Sequence, residues 1–140
     1  MKHVKILSLG LLILFFSSCG SAGKLNTDSL LIGKIWELSS LMGEDPDLNK
    51  FQNGLPSISF LEGGKLAGFA GCNNFSGGFS LEGNSIQLDP GAMTRKACQG
   101  SGEDEFISAI GKVKNIKAGK DKLTLLDGTT EIMRLIPKSE

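Results

Sequence analysis

Apolar residues alternate with polar ones in short bursts along most of the chain. The bursts are residues 35–41 around Trp36 and Leu38, Ile58 with Phe60, residues 66–70, Phe79 with Leu81, Ile86 with Leu88, Leu123 with Leu125, and residues 132–136. A period of two predicts strands that bury one face. Between them stand Glu62-Gly63-Gly64, Glu82-Gly83-Asn84, Asp89-Pro90-Gly91, Gly119-Lys120-Asp121 and Asp127-Gly128. These residues accept tight or left-handed backbone, so hairpins are the expected connections. One stretch breaks the alternation. Ser101-Gly102-Glu103-Asp104 has the form of a capping box, and Phe106, Ile107, Ile110 and Val113 follow at helical spacing, which predicts a helix over 103–112. The expected fold is mainly β with one helix (α+β): a strongly curled antiparallel sheet or incomplete β-barrel of about seven or eight strands, packed or plugged by one amphipathic helix. The inward candidates Leu66, Leu81, Leu88 and Leu125 are large, while Gly68, Ala70 and Gly78 leave room. The pattern therefore leaves open whether the sheet encloses a cavity.

The start of the chain follows another logic. Lys2 and Lys5 precede an apolar run at residues 6–16, after which come Ser17, Ser18 and Cys19. A helix of that length rises about 16 Å, half of a ~30 Å hydrocarbon core, so residues 1–18 read as a secretory signal and not as a membrane span. Phe16-Ser17-Ser18-Cys19-Gly20 resembles the bacterial lipobox, with Phe16 where Leu is usual. That resemblance implies cleavage before Cys19 and covalent lipid, such as palmitate, on it. Several acyl chains would hold the protein on a membrane, because each buried CH₂ contributes about 0.8 kcal/mol. The other reading is an ordinary cleaved signal that leaves Cys19 as an unpaired thiol. Gly20, rather than Asp, after Cys19 implies the outer membrane, facing the periplasm, by the sorting rule of some bacteria. Residues 19–30 are small and polar without an apolar period, as in a flexible tether. The folded domain is expected over 31–137.

The 140 residues leave length for one domain, expected to be monomeric. Basic and acidic side chains balance at 15 each, and Lys2 and Lys5 leave with the signal, so there is no basic footprint for nucleic acid. The one histidine, His3, lies in the signal. The remaining chain has no imidazole for a triad, a Cys–His pair or a His-ligated metal. The glycines form no G-x-G-x-x-G between a strand and a helix, and no Gly-Lys pair is followed by Ser or Thr. No nucleotide, other cofactor or metal is expected. Gly63, Gly64, Gly68, Gly71, Gly77 and Gly78 instead fit the bulges and bends of a curled sheet.

Four blocks line up in one order: Gly33-Lys34-Ile35-Trp36-Glu37-Leu38, Gly71-Cys72-Asn73-Asn74-Phe75-Ser76-Gly77, Thr94-Arg95-Lys96-Ala97-Cys98, and Glu105-Phe106 on the helix. Together they resemble the META/HslJ-like domain, over 31–137. The Gly-Cys-Asn block is the specific part. Lys96 and Phe79 depart from the family's more usual Met and Tyr. The resemblance implies an envelope or secreted protein, often a lipoprotein, associated with heat stress, drug tolerance or virulence, without an established biochemical activity. It also implies a curled β-structure with one helix.

Cys72 and Cys98 lie in an exported domain, where disulfides persist, and a structural bridge is the favoured reading over two buried reduced thiols. Asn73 and Asn74 are candidates for partner contact; the alternative is that they bond to their own turn or take left-handed backbone. Arg95, between Thr94 and Lys96, is the third candidate for partner contact. Trp36 reads as a core anchor. Glu103, Asp104 and Glu105 read as first-turn carboxylates that complement the helix dipole, not as a catalytic pair. These residues point to a non-enzymatic, lipid-anchored envelope protein that binds a partner or supports the envelope under stress. A partly open barrel that holds a lipid or other apolar ligand, as pilot or chaperone lipoproteins do, is the second reading. An enzyme using only carboxylates is the third.

Overall fold

The computed structural model describes residues 26–139. The signal over 1–18 and the lipidation candidate Cys19 lie outside these residues. Eight strands follow in chain order: β1 (Ile35–Leu41), β2 (Ser57–Leu61), β3 (Lys65–Phe69), β4 (Asn74–Glu82), β5 (Ser85–Met93), β6 (Asn115–Ala118), β7 (Leu123–Asp127) and β8 (Thr130–Pro137). Helix α1 (Thr27–Leu31) precedes β1, and α2 (Gly102–Ile110) lies between β5 and β6. Every strand pairs antiparallel with its neighbour in sequence, and β8 returns to pair with β1. The architecture is mainly β, one curled antiparallel sheet with helical additions, as the alternation predicts.

The period-two pattern places Trp36, Leu38 and Ser40 of β1 inward. It does the same for Ile58 and Phe60 of β2. Trp36 is fully buried, and its Nε1–H donates to the Leu31 carbonyl at 3.1 Å. The Trp36 ring also receives the Lys34 ammonium at 5.2 Å. Phe60, Phe106, Leu66, Leu125 and Met133 join Trp36 in the core. Inside the curl the space beside Gly68 is taken by the Phe75 ring, which a Cβ at Gly68 would strike. The room that Gly68 leaves is thus filled by an aromatic side chain, whereas at Gly78 the neighbour is the Gly64 carbonyl. Leu81 and Leu88 pack against the core only in part.

Several details depart from the expected elements. Residues 27–30, read as tether, are helical, because Leu31 is fully buried and its carbonyl is claimed by Trp36. A single helical turn with one anchoring residue is too short to show an apolar period. Helix α2 ends at Ile110, so Val113 belongs to the segment entering β6, where it is buried. Strand β6 buries only Ile116 and showed no alternation. Asp89-Pro90-Gly91 does not end a strand. It runs through β5 in register as far as Gly91, at φ +62°, and the bulge follows there, since Ser76 pairs with Gly91 but Phe75 with Met93, leaving Ala92 as the extra residue. Strand β5 pairs with β4 from Ser85 to Asp89 and again at Gly91 and Met93, so the pairing steps over Pro90, which has no N–H to donate.

Candidate functional site

The Gly71-Cys72-Asn73 turn joins β3 to β4, and the first turn of α2 stands beside it. Gly71 has φ +99°, and a Cβ there would lie 2.6 Å from Phe51 Cδ1. A Cβ on Gly102 would meet the same ring at 2.5 Å. The buried Phe51 ring therefore fills a slot that glycine on both sides keeps open. Cys72 and Cys98 are joined by a disulfide with their Cα atoms 6.0 Å apart, which sets aside the reduced-thiol reading. Bridging positions 26 residues apart contributes about 3–4 kcal/mol in the chain-entropy account.

Asn73 is the hub of this region and is 4% exposed. Its Nδ2 donates to Glu103 Oε1 at 2.9 Å and to the Lys96 carbonyl at 3.1 Å. Its Oδ1 accepts from the Thr94 hydroxyl at 2.9 Å and the Lys96 N–H at 2.6 Å. The Asn73 backbone N–H donates to Glu103 Oε2 at 2.5 Å. Thr94 extends the network: its Oγ1 accepts from the Asn74 N–H, and its own N–H donates to the Asn74 carbonyl, both at 3.0 Å. One amide thus ties the turn after β3, the segment after β5 and the start of α2. Asn73 also bonds within its own turn, its Nδ2 donating to Cys72 Sγ at 3.4 Å and its carbonyl accepting from the Ala70 N–H at 2.8 Å. Its backbone is not left-handed, since Met42 is the one non-glycine residue at positive φ among the described residues.

The helix start also differs from a capping box. The Ser101 hydroxyl does not cap a backbone N–H; it donates to Glu105 Oε1 at 2.8 Å. Lys50 reaches the same carboxylate at 2.9 and 3.0 Å. The hydrogen bond from Lys50, followed by that from Ser101, holds the Glu105 carboxyl below its ordinary value of 4.5. The reciprocal hydrogen bond to Glu105 raises the Lys50 ammonium above its ordinary 10.5. Of the three first-turn carboxylates, Glu103 serves Asn73 and Glu105 serves Lys50. The dipole reading is incomplete for both.

Asn74 and Arg95 are exposed. Arg95, Lys96, Glu103 and Asp104 line a surface groove of about 870 Å³ together with the apolar Met93 and Ile107. The sequence singles out Asn73, Asn74 and Arg95 but does not join Asn73 to Glu103 or Thr94. The side chains in contact here are 21 to 30 residues apart, and no local periodicity links them.

The curled sheet with these additions has solved counterparts. A DUF4847 family protein from Bacteroides vulgatus ATCC 8482 superposes with a TM-score of 0.63 at 13% identity, over 82% of this chain and 99% of that one. A protein from Burkholderia xenovorans solved by NMR gives 0.61 at 18% identity, over 82% and 90%. Another protein solved by NMR gives 0.61 at 26% identity, over 80% and 96%. Identities of 13% and 18% speak for the fold alone. No curated protein matches the chain. A family model described as META domain matches residues 29–140, a span that begins inside α1 and includes all eight strands, the Cys72–Cys98 bridge and the Asn73 network. The chain belongs to the META domain family.

Proposed function

We propose that this META protein is a non-enzymatic binding module of the bacterial cell envelope, held by lipid on Cys19 at the periplasmic face of the outer membrane, where it supports the envelope under stress. The observation that carries the anchoring is Ser17-Ser18-Cys19-Gly20 directly behind the apolar run at residues 6–16. A binding role is favoured over a catalytic one by the use already made of the polar groups near the bridge. Asn73, Thr94, Glu103 and Glu105 are each spent on intramolecular hydrogen bonds. Phe106 and Ile110 are buried in the core beneath the helix, and the surface groove of about 760 Å³ beside them is lined by polar Ser80, Gln87 and Lys114 as well as by Phe79 and Leu88. Partner contact then falls to the exposed Asn74 and to Arg95 on the groove it shares with Lys96. Mass spectrometry of the protein isolated from its own cells is the test. The expected mass is that of a chain starting at Cys19 with diacylglycerol and an N-acyl chain, and Cys19→Ser should release the protein from washed membranes. An unmodified N-terminus, or a Cys19→Ser protein that still sediments with membranes, overturns the reading.

A further inference from the structure

The three most exposed aliphatic side chains of the strands lie together. Ile35 of β1 is 51% exposed, Leu61 of β2 42% and Ile136 of β8 44%. The register places Ser59 opposite Ile35, and Leu61 lies two residues beyond Ser59 on the same face. On the other side Glu37 is opposite Ile136, so Ile136 is the diagonal neighbour of Ile35 across β1 and β8. Diagonal pairs on one face are within reach of long side chains. The result is an apolar stripe across three strands, on the outside of the sheet. Its one acidic member, Glu37, is paired with Lys138 at 3.1 Å, and Lys65 stands opposite Leu61.

The stripe sits where the chain joins the sheet. Helix α1 passes directly into β1, and Ile32 bridges to Phe60 of β2, next to Leu61. From Cys19 to Asn26, the first described residue, the chain spans at most about 25 Å even when fully extended. A lipid on Cys19 therefore keeps this end of the sheet close to the bilayer surface. Confinement at that distance raises the effective concentration of lipid at the stripe, so a contact too weak to bind a free protein becomes occupied. Lys65 and Lys138 border the stripe and can extend their ammonium groups to headgroup phosphates while their stems lie on apolar surface.

We propose that the outer face around Ile35, Leu61 and Ile136 rests on the lipid surface that holds the anchor. The inference rests on the reading of Cys19 as lipidated, and its test is made independent of that reading. The chain from Cys19 to Glu140 is coupled through Cys19, its one thiol outside the disulfide, to a maleimide phospholipid in vesicles of phosphatidylethanolamine and phosphatidylglycerol. Ser59→Trp reports on the stripe, and Leu48→Trp reports on an exposed site of the loop that leaves the far end of β1. Trp36 is fully buried and supplies a constant background. Lipids brominated in their acyl chains should quench Ser59→Trp and leave Leu48→Trp unchanged, and adding Ile35→Glu, Leu61→Glu and Ile136→Glu should abolish the quenching. Equal quenching at both positions, or none at Ser59→Trp, overturns the proposal. Ser59→Trp emission already shielded from iodide in lipid-free chain assigns the stripe to a second copy and overturns it too. The comparison of the two single tryptophan variants stands even if the triple Glu variant fails to fold. The mass of the native N-terminus decides the anchor separately.

Discussion

Asn73 meets all of its side-chain hydrogen-bonding needs inside the protein, and the groups it serves would each lose one partner if it were shortened. Asn73→Ala removes the side-chain partner of Glu103 Oε1, the Thr94 hydroxyl and both backbone groups of Lys96, while the backbone N–H of residue 73 still donates to Glu103 Oε2. Removing one partner of a buried pair costs more than the pair contributes on balance. The expected loss is about 2–3 kcal/mol in urea unfolding. Glu103→Ala should cost about 1.5–3 kcal/mol, as for a hydrogen bond to a charged group. Asp104→Ala, with only the helix dipole to lose, should cost about 0.3–1 kcal/mol. Near-equal effects at Glu103 and Asp104 would show that the Asn73 contacts carry no stability. Part of this was legible in the sequence. The Gly-Cys-Asn block marked the region and the acidic run marked the helix start. What joins Asn73 to Glu103 is a contact across 30 residues that only the folded chain creates.

At the scale of elements, alternation disclosed strands wherever one face is buried along their length, as in β1 and β2. It missed the short segments whose place is set by a single residue, Leu31 in α1 and Ile116 in β6. The glycines of residues 63–78 pointed to bulges, but the register shifts fall in β1, β5 and β8, where an added residue leaves local composition unchanged. In β8, for example, the neighbours Ile132 and Met133 are both buried where Leu125 pairs with Met133 and Leu126 with Glu131, which leaves Ile132 as the added residue. The tie between the loop after β1 and helix α2 rests on two devices, the Phe51 slot and the Lys50–Glu105 ion pair. The ion pair has a defined pH window. Glu105 is held below 4.5 in the folded protein, so its contribution is complete above that value and is lost as pH falls through the lowered one. Lys50 is raised above 10.5, so its share is complete below that value and is lost as pH rises through the raised one. The stability difference between wild type and Glu105→Gln should therefore form a plateau near neutrality and close toward both extremes. It should also shrink with added salt, since both groups are exposed. Melting temperatures across pH check this, and a difference that grows on acidification would contradict it.

For the molecule as a whole, the weak point of the ring is not where the first strand meets the last. Strands β1 and β8 share five paired positions, whereas β5 and β6, neighbours in order, share one, Ser85 with Asn115. The backbone bonds across that seam are Ile86 N–H to the Lys114 carbonyl and Ile116 N–H to the Asn84 carbonyl, both 2.9 Å. The chain leaves the sheet after Met93 to make the disulfide and α2. That helix then buries Phe106, Ala109 and Ile110 at the place where more strand pairing would otherwise be needed. Closure at the seam thus depends on a wedge of side chains whose position is fixed by Cys98, a few residues before the helix. Opening there breaks few backbone bonds, so it should be the lowest of the partial unfolding events. Native-state hydrogen exchange should show the Ile86 and Ile116 amides opening with a lower free energy than amides of the β7–β8 ladder such as that of Leu125. Reducing the disulfide frees the start of the wedge, so it should speed exchange at Ile86 and Ile116 well before it affects Leu125 or Leu135. Uniform loss of protection on reduction would mean that the bridge braces the entire ring and that the seam is not a separate unit.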